Sequence, residues 1–257
     1  MGAGDTSRSG TLALSVPDRH HILAIETSNP SAWTPEHAIR PGVAVGRLRG
    51  HQIDILARYD IDPSRPHDDT LLMAIDTALN ASGGSPRSIK TIAVSAGPGG
   101  FTAVRLAIVA AKMIAEVTGA ACIAVPSAAV AAARVRPGPR PFAVLLASKG
   151  DSSYATLFDG GALPAGVPRI VRAADLPMLG AQRIIADHHL PDPISAAAAA
   201  LRVPVERPEF DPAACLEICS HYPSVDPAAL LPLYPREPEA VTKWRELHPP
   251  GKGGGGS

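Results

Sequence analysis

The stretch that most limits what this chain can fold into runs from Ile89 to Val117. Ile89 to Val94 alternates and branches like a buried strand. Ser95-Ala96-Gly97-Pro98-Gly99-Gly100-Phe101-Thr102 follows, and Ala103 to Val117 is then an almost wholly apolar, alanine-rich helix. A strand that turns through a glycine-rich loop into a helix is the usual site of function in an α/β domain. Such a loop can hold a phosphate, present a nucleophile, or make only a tight turn.

The elements around it fix the fold class. Ile22 to Ile25 reads as a first strand ending in Glu26-Thr27-Ser28, and a proline-containing insert with an exposed Trp33 spans Asn29 to Pro41. Val43 to Leu48 and Gln52 to Arg58 alternate like two strands joined at Arg49-Gly50-His51. From Asp68 to Asn80, the residues Leu71, Leu72, Ile75 and Leu79 fall on one helical face, and Asp68 and Asp69 suit the positive end of the helix dipole. After the central unit come a strand at Cys122 to Val125 and a helix opened by Pro126-Ser127. The order βββαβαβα is that of the ribonuclease H-like core shared by actin-like ATPases and sugar kinases. The predicted class is therefore α/β, an actin-like/ribonuclease H-like (ASKHA) two-lobed fold, an assignment by topology that leaves function open.

Four segments are expected: a loose leader over 1–21, the first lobe over 22–136, a smaller divergent second lobe over 142–236 beyond a proline-rich linker, and a flexible tail over 251–257. The second lobe is read as a hairpin at Phe142 to Ala147 and Tyr154 to Phe158. A helix at Asp175 to Leu179, a strand at Ile184 to Ala186, and helices near Ile194 to Leu201 and Pro212 to His221 follow. No internal repeat is visible.

The chain has 257 residues and a formal net charge of zero, which gives it no overall attraction to nucleic acid or anionic membrane. Three cysteines are too few for a disulfide framework and suit a reducing compartment. Met1 to Gly10 lacks the apolar core of a secretory signal, so the expectation is a cytoplasmic protein. Cys215, Cys219 and His221 lie close in sequence, but structural zinc needs four converging ligands. Core cysteines and no metal are expected.

Named chemistries fit the loop poorly. No lysine follows the glycines as a Walker A loop requires, and Thr102 stands where a dinucleotide fingerprint needs its third glycine. Ala93-Val94-Ser95-Ala96-Gly97 only approaches the nucleophile elbow, because Pro98-Gly99-Gly100 delays the helix. No catalytic residue is assigned. An independent enzyme, either a nucleotide-dependent phosphotransferase or a serine hydrolase using Ser95, is the alternative.

The helix after the loop says more. Its charges are Arg105, Lys112 and Glu116, too narrow a stripe to give a sheet-covering helix its polar side. Ala103, Ala107, Ala111 and Ala115 recur every four residues as a low ridge for close packing. Either the rest of the chain covers this helix or a partner does. The expected interface comprises Leu71, Leu72, Ile75 and Leu79 of one helix with Ala103, Ala107, Ala110, Ala111, Ile114 and Ala115 of the other.

Four segments resemble one family. Ile22-Leu23-Ala24-Ile25-Glu26-Thr27-Ser28 resembles its opening I-L-A-I-D-T-S, and Pro66-His67 ahead of Leu71-Leu72 is similar to H-S-E-x-L-L-P. Ala96-Gly97-Pro98-Gly99-Gly100-Phe101-Thr102-Ala103-Val104-Arg105 resembles G-P-G-S-F-T-G-V-R, the most specific of the four. Leu231-Pro232-Leu233-Tyr234-Pro235-Arg236, followed by Trp244, resembles E-P-x-Y-L-R. The family is that of the bacterial tRNA threonylcarbamoyladenosine biosynthesis protein TsaB, described as glycoprotease-like. The resemblance covers Ile22 to about Val125 well and the second lobe poorly.

It implies a non-catalytic subunit that pairs, through the two first-lobe helices, with the catalytic paralogue TsaD. That enzyme transfers a threonylcarbamoyl group to the adenosine beside the anticodon of certain tRNAs. It also implies homodimers through the same surface and a TsaE-like ATPase as a third subunit, with tRNA met only indirectly. Glu26 replaces the family's aspartate, Gly100 its serine and Ala103 its glycine, and Ala147-Ser148-Lys149 stands where Asp-Ala-Arg is usual. Glu26, Thr27, Ser28, Gly97, Gly99, Gly100 and Thr102 are accordingly read as a vestigial nucleotide loop that sets the angle of the next helix. No cofactor is expected, with ATP, ADP or magnesium conceivable only at a partner interface.

Overall fold

Alternation in the first strand sets the layers of the molecule. In β1 (His21–Glu26) every residue is buried. Ile22 and Ala24 enter one apolar core and Leu23 and Ile25 another on the opposite face, as the two-residue period of a strand requires. The computed structural model describes residues 20–50, 52–62, 70–136, 138–236, 244 and 247–248. Asp68, Asp69, Pro66 and His67 lie outside that set.

β2 (Gly42–Arg49) and β3 (Gln52–Asp60) extend the sheet antiparallel on one side of β1. Then come α1 (Thr70–Ala81), β4 (Ile89–Ser95), α2 (Phe101–Thr118), β5 (Ala121–Val125) and α3 (Ser127–Ala132). β4 pairs parallel with β1, and β5 with β4. This is the βββαβαβα order read from the sequence. α2 stops at Gly119, whose φ of 69° places it in the left-handed region that glycine occupies without steric penalty.

The second lobe is more regular than its sequence suggests. β6 (Phe142–Lys149), β7 (Ser152–Phe158), β8 (Arg169–Arg172), α4 (Leu176–Leu179), β9 (Arg183–Ala186), α5 (Asp192–Ala200) and β10 (Val205–Glu206) follow one another. Their sheet runs β10-β9-β6-β7-β8, with β6 antiparallel to β7 and parallel to β9. The first lobe has the same arrangement, β5-β4-β1-β2-β3. The chain therefore carries one topology twice, a repeat that its sequence does not show.

The last elements return to the first lobe. α6 (Pro212–Ile218) packs on β1, β2 and β3, and β11 (Ser224–Val225) adds antiparallel to β5 at the edge of the first sheet. Residues that the sequence reading placed in the second lobe thus complete the first one. α3 and α6 lie between the two sheets, and their core takes in Phe142, Val144, Leu146 and Ile185 of the second sheet. The layers run α1 and α2, first sheet, α3 and α6, second sheet, then α4 and α5.

Candidate functional site

At the end of β1, Glu26 is fully buried. Its Oε1 accepts hydrogen bonds from the Ser28 amide at 2.8 Å and the Ser28 hydroxyl at 2.7 Å. Its Oε2 has no hydrogen-bond partner among the described residues. Burial pushes this carboxyl above the usual carboxylate range, and the Ser95 and Ser28 hydroxyls with the Ser28 amide offset only part of that rise. Ser95 itself is buried and shares a hydrogen bond of 2.8 Å with Ser127. Its hydroxyl is a core group of this network, well away from water.

The glycine loop is closed by its own chain. The Ser28 carbonyl accepts from the Gly100 amide at 2.7 Å, and a Cβ on Gly99 would lie 2.1 Å from that same carbonyl oxygen. The Asn29 side-chain amide donates to the Pro98 carbonyl at 3.2 Å. From the other side, the Leu233 amide donates to the Ala96 carbonyl at 2.7 Å. Thr102 alone of the predicted loop residues is exposed on the helix. A nucleotide does not fit here, because a carbonyl oxygen holds the amide that a phosphate would need and the Glu26 carboxyl is sealed from solvent. Glu26, Thr27, Ser28, Gly97, Gly99 and Gly100 are brought together as predicted, but as a packed joint.

The predicted interface requires a correction. Leu71, Ile75 and Leu79 of α1 are buried, as are Ala103, Ala107, Ala110, Ala111 and Ala115 of α2, and all but Ala103 belong to the core on the sheet. Ala107 and Ala111 are 0% exposed. The alanine ridge lets α2 approach its own strands closely. Ile114 is half-buried, and only Leu72 of the ten is exposed, at 54%.

The outward face is the opposite ridge. Phe101, Arg105, Val109, Met113 and Val117 also recur every four residues, offset by two from the alanines, and so emerge on the other side of the helix. Val109 is 50%, Met113 61% and Val117 85% exposed. α1 lies on the same face of the sheet and exposes Leu72 and Met73 in its first turn. A shallow groove of about 350 Å³ runs over Phe101, Thr102, Arg105, Leu106 and Val109. The excess of apolar residues over what a sheet-covering helix needs was visible in the sequence. Which side each would take depended on where the sheet lay.

One flank of α2 is covered by the chain itself. The Arg105 Nε donates to the Tyr234 hydroxyl at 2.8 Å, and the Lys112 Nζ to the Ala228 carbonyl at 3.1 Å. Tyr234 stacks on Phe101, with ring centroids 5.9 Å apart. Two residues on, Arg236 reaches the second lobe and donates to the Ala147 carbonyl and, at 3.0 Å, to the Ser152 hydroxyl. The segment 224–236 is thus a strap that joins both lobes across the start of α2, a role that its proline-rich sequence did not suggest.

A second polar cluster fixes α6. Asp211 caps this helix by accepting from the Ala213 amide at 2.9 Å. It also pairs with Arg58 at 3.0 Å and with Arg134 at 2.7 Å. Cys215 and Cys219 are buried core residues, and burial raises both thiols, Cys219 to about 12. Among the described residues, no three His, Cys, Asp or Glu side chains are grouped as a metal site. Trp33, read as exposed, is half-buried beside Arg40, whose guanidinium lies 5.0 Å from the ring centroid. No helix among the described residues is long and apolar enough to cross a membrane.

Together these features define a two-lobed α/β protein of actin-like fold with a sealed strand-end joint and an exposed apolar helical face. Residues 61–163, less than half of the chain, match the model of the family described as TsaD: tRNA N6-adenosine threonylcarbamoyltransferase. No curated protein matches the chain. Two solved structures from Pseudomonas aeruginosa share the fold. One, described as an uncharacterized protein with similarity to peptidase YEAZ, is 19% identical with a TM-score of 0.59, covering 84% of this chain and 100% of that one. The other, YeaZ, is 18% identical with a TM-score of 0.61, covering 84% and 99%.

Proposed function

We propose that this protein is a non-catalytic subunit that pairs with a TsaD-like enzyme and supports threonylcarbamoyl modification of the adenosine beside the tRNA anticodon. The observation that carries the proposal is the outer face of α1 and α2, where Leu72, Met73, Phe101, Val109, Met113 and Val117 are all at least half exposed. Burying side chains of this size contributes about 1.5–3 kcal/mol each before the costs of association. The TsaD-family match over residues 61–163 includes this whole face and supports an assignment to that modification. The closed joint at Glu26 and Gly99 supports a role through a surface over one through a nucleotide pocket. On this reading the partner meets the tRNA, a TsaE-like ATPase joins as a third subunit, and two copies pair through the same face when the enzyme is absent.

Co-purification with the TsaD-like protein of the same organism tests the proposal. Val109→Arg and Met113→Glu should abolish the complex and leave the fold intact. A chain that shows no affinity for that protein, or binds it equally well with either substitution, overturns the proposal. So does an intrinsic ATPase or esterase activity that is lost with Glu26→Ala or Ser95→Ala.

A further inference from the structure

Among the described residues, the chain passes between the lobes after Arg136 and again at 207–211. Beside these crossings lies a pocket of about 500 Å³, with Arg134, Arg136, Arg183 and Arg207 in its wall against Glu206 and Glu209. It lies away from the strand-end joint, at the start of β6 and β9, since Arg183 stands opposite Phe142 in their parallel register. Two of the four guanidiniums are committed elsewhere: Arg134 to Asp211 and Glu217, and Arg207 to Glu36. The other two keep spare donors. Arg183 lies 3.8 Å from Glu206, too far for a hydrogen bond, and donates to the Arg136 carbonyl at 3.2 Å. The Arg136 side chain is exposed and forms no ion pair among the described residues.

We propose that this interlobe pocket binds a phosphate group, free or carried on a small metabolite, through Arg136 and Arg183. The pocket falls within the size range of small-molecule sites. A planar guanidinium offers a tetrahedral oxyanion two parallel donors, and here one comes from the crossing and one from the second-lobe sheet. An anion held by both ties the crossing to that sheet. Glu206 is the group it displaces from Arg183, so Glu206 sets the affinity by competition.

Calorimetric titration of the intact chain at low ionic strength tests this, with inorganic phosphate, pyrophosphate and ribose 5-phosphate as probes. Binding of at least one is expected, weakened at least tenfold in the Arg136→Gln, Arg183→Gln double variant. Glu206→Gln should tighten binding, a gain that misfolding cannot produce. Preference for ribose 5-phosphate identifies a carried phosphate, and preference for the inorganic ions a free one. Absence of binding to the wild type, unchanged affinity in the double variant, or no gain with Glu206→Gln overturns the proposal.

Discussion

Glu26 ends a central strand and keeps its carboxyl away from water, with only Ser28 and Ser95 to offset the burial. Its pKa is raised, so as pH rises the folded protein keeps a proton there longer than the unfolded chain does. That contribution to stability is fully present below the unfolded value of about 4.3 and is lost as pH rises through the folded value. Glu26→Gln carries no charge to bury. It should melt at a higher temperature than the wild type at pH 8, with the gap closing toward pH 4 in thermal unfolding scans. Asp211 is also buried, with two arginines and a helix amide on it. Asp211→Ala should cost about 3 kcal/mol in urea denaturation, because it removes the buried partner of two guanidiniums, leaving them only Asp60 and Glu217, and uncaps α6. The sequence marked Glu26 as a strand end. It gave no sign of Asp211, whose partners come from positions 58 and 134.

At the scale of elements, α2 shows what a helical sequence can and cannot reveal. Its two ridges, four-residue series of alanines and of larger residues, were both present in the sequence. The sequence reading took the alanine ridge as the outer one because small residues favour close helix packing. The structure uses it against the sheet, where Ala107 and Ala111 are fully buried. Val109→Arg and Met113→Glu should therefore change stability by no more than about 0.5 kcal/mol, as surface substitutions do. Ala111→Glu, which forces a charge into the sheet contact, should lose the cooperative unfolding transition. Circular dichroism on the three variants separates the faces. The glycine loop was legible as a turn into a helix but not as a closed one, because the carbonyl that fills it belongs to Ser28. Gly99→Ala should cost at least about 2 kcal/mol by denaturant titration, since the added methyl meets rigid backbone.

At the scale of the whole molecule, the order of strands and helices in the first lobe gave the actin-like topology directly, because βββαβαβα permits few other sheets. The duplication in the second lobe was hidden. β8 and β10 are four and two residues long, too short for a periodic signal, and the topology is defined by pairings no local pattern encodes. The return of α6, β11 and the strap to the first lobe was equally invisible, because such contacts span much of the chain. The strap covers one flank of α2 and leaves the ridge from Val109 to Val117 open. The proposed role requires that open face to have an occupant. Its most direct test is the dissociation constant between this chain and the TsaD-like enzyme of its own organism, measured calorimetrically for the wild type and Met113→Glu. A defined complex is expected with the wild type, and an affinity at least tenfold weaker for a Met113→Glu variant that still unfolds cooperatively. No complex with the wild type, or equal affinity for the two, would contradict it.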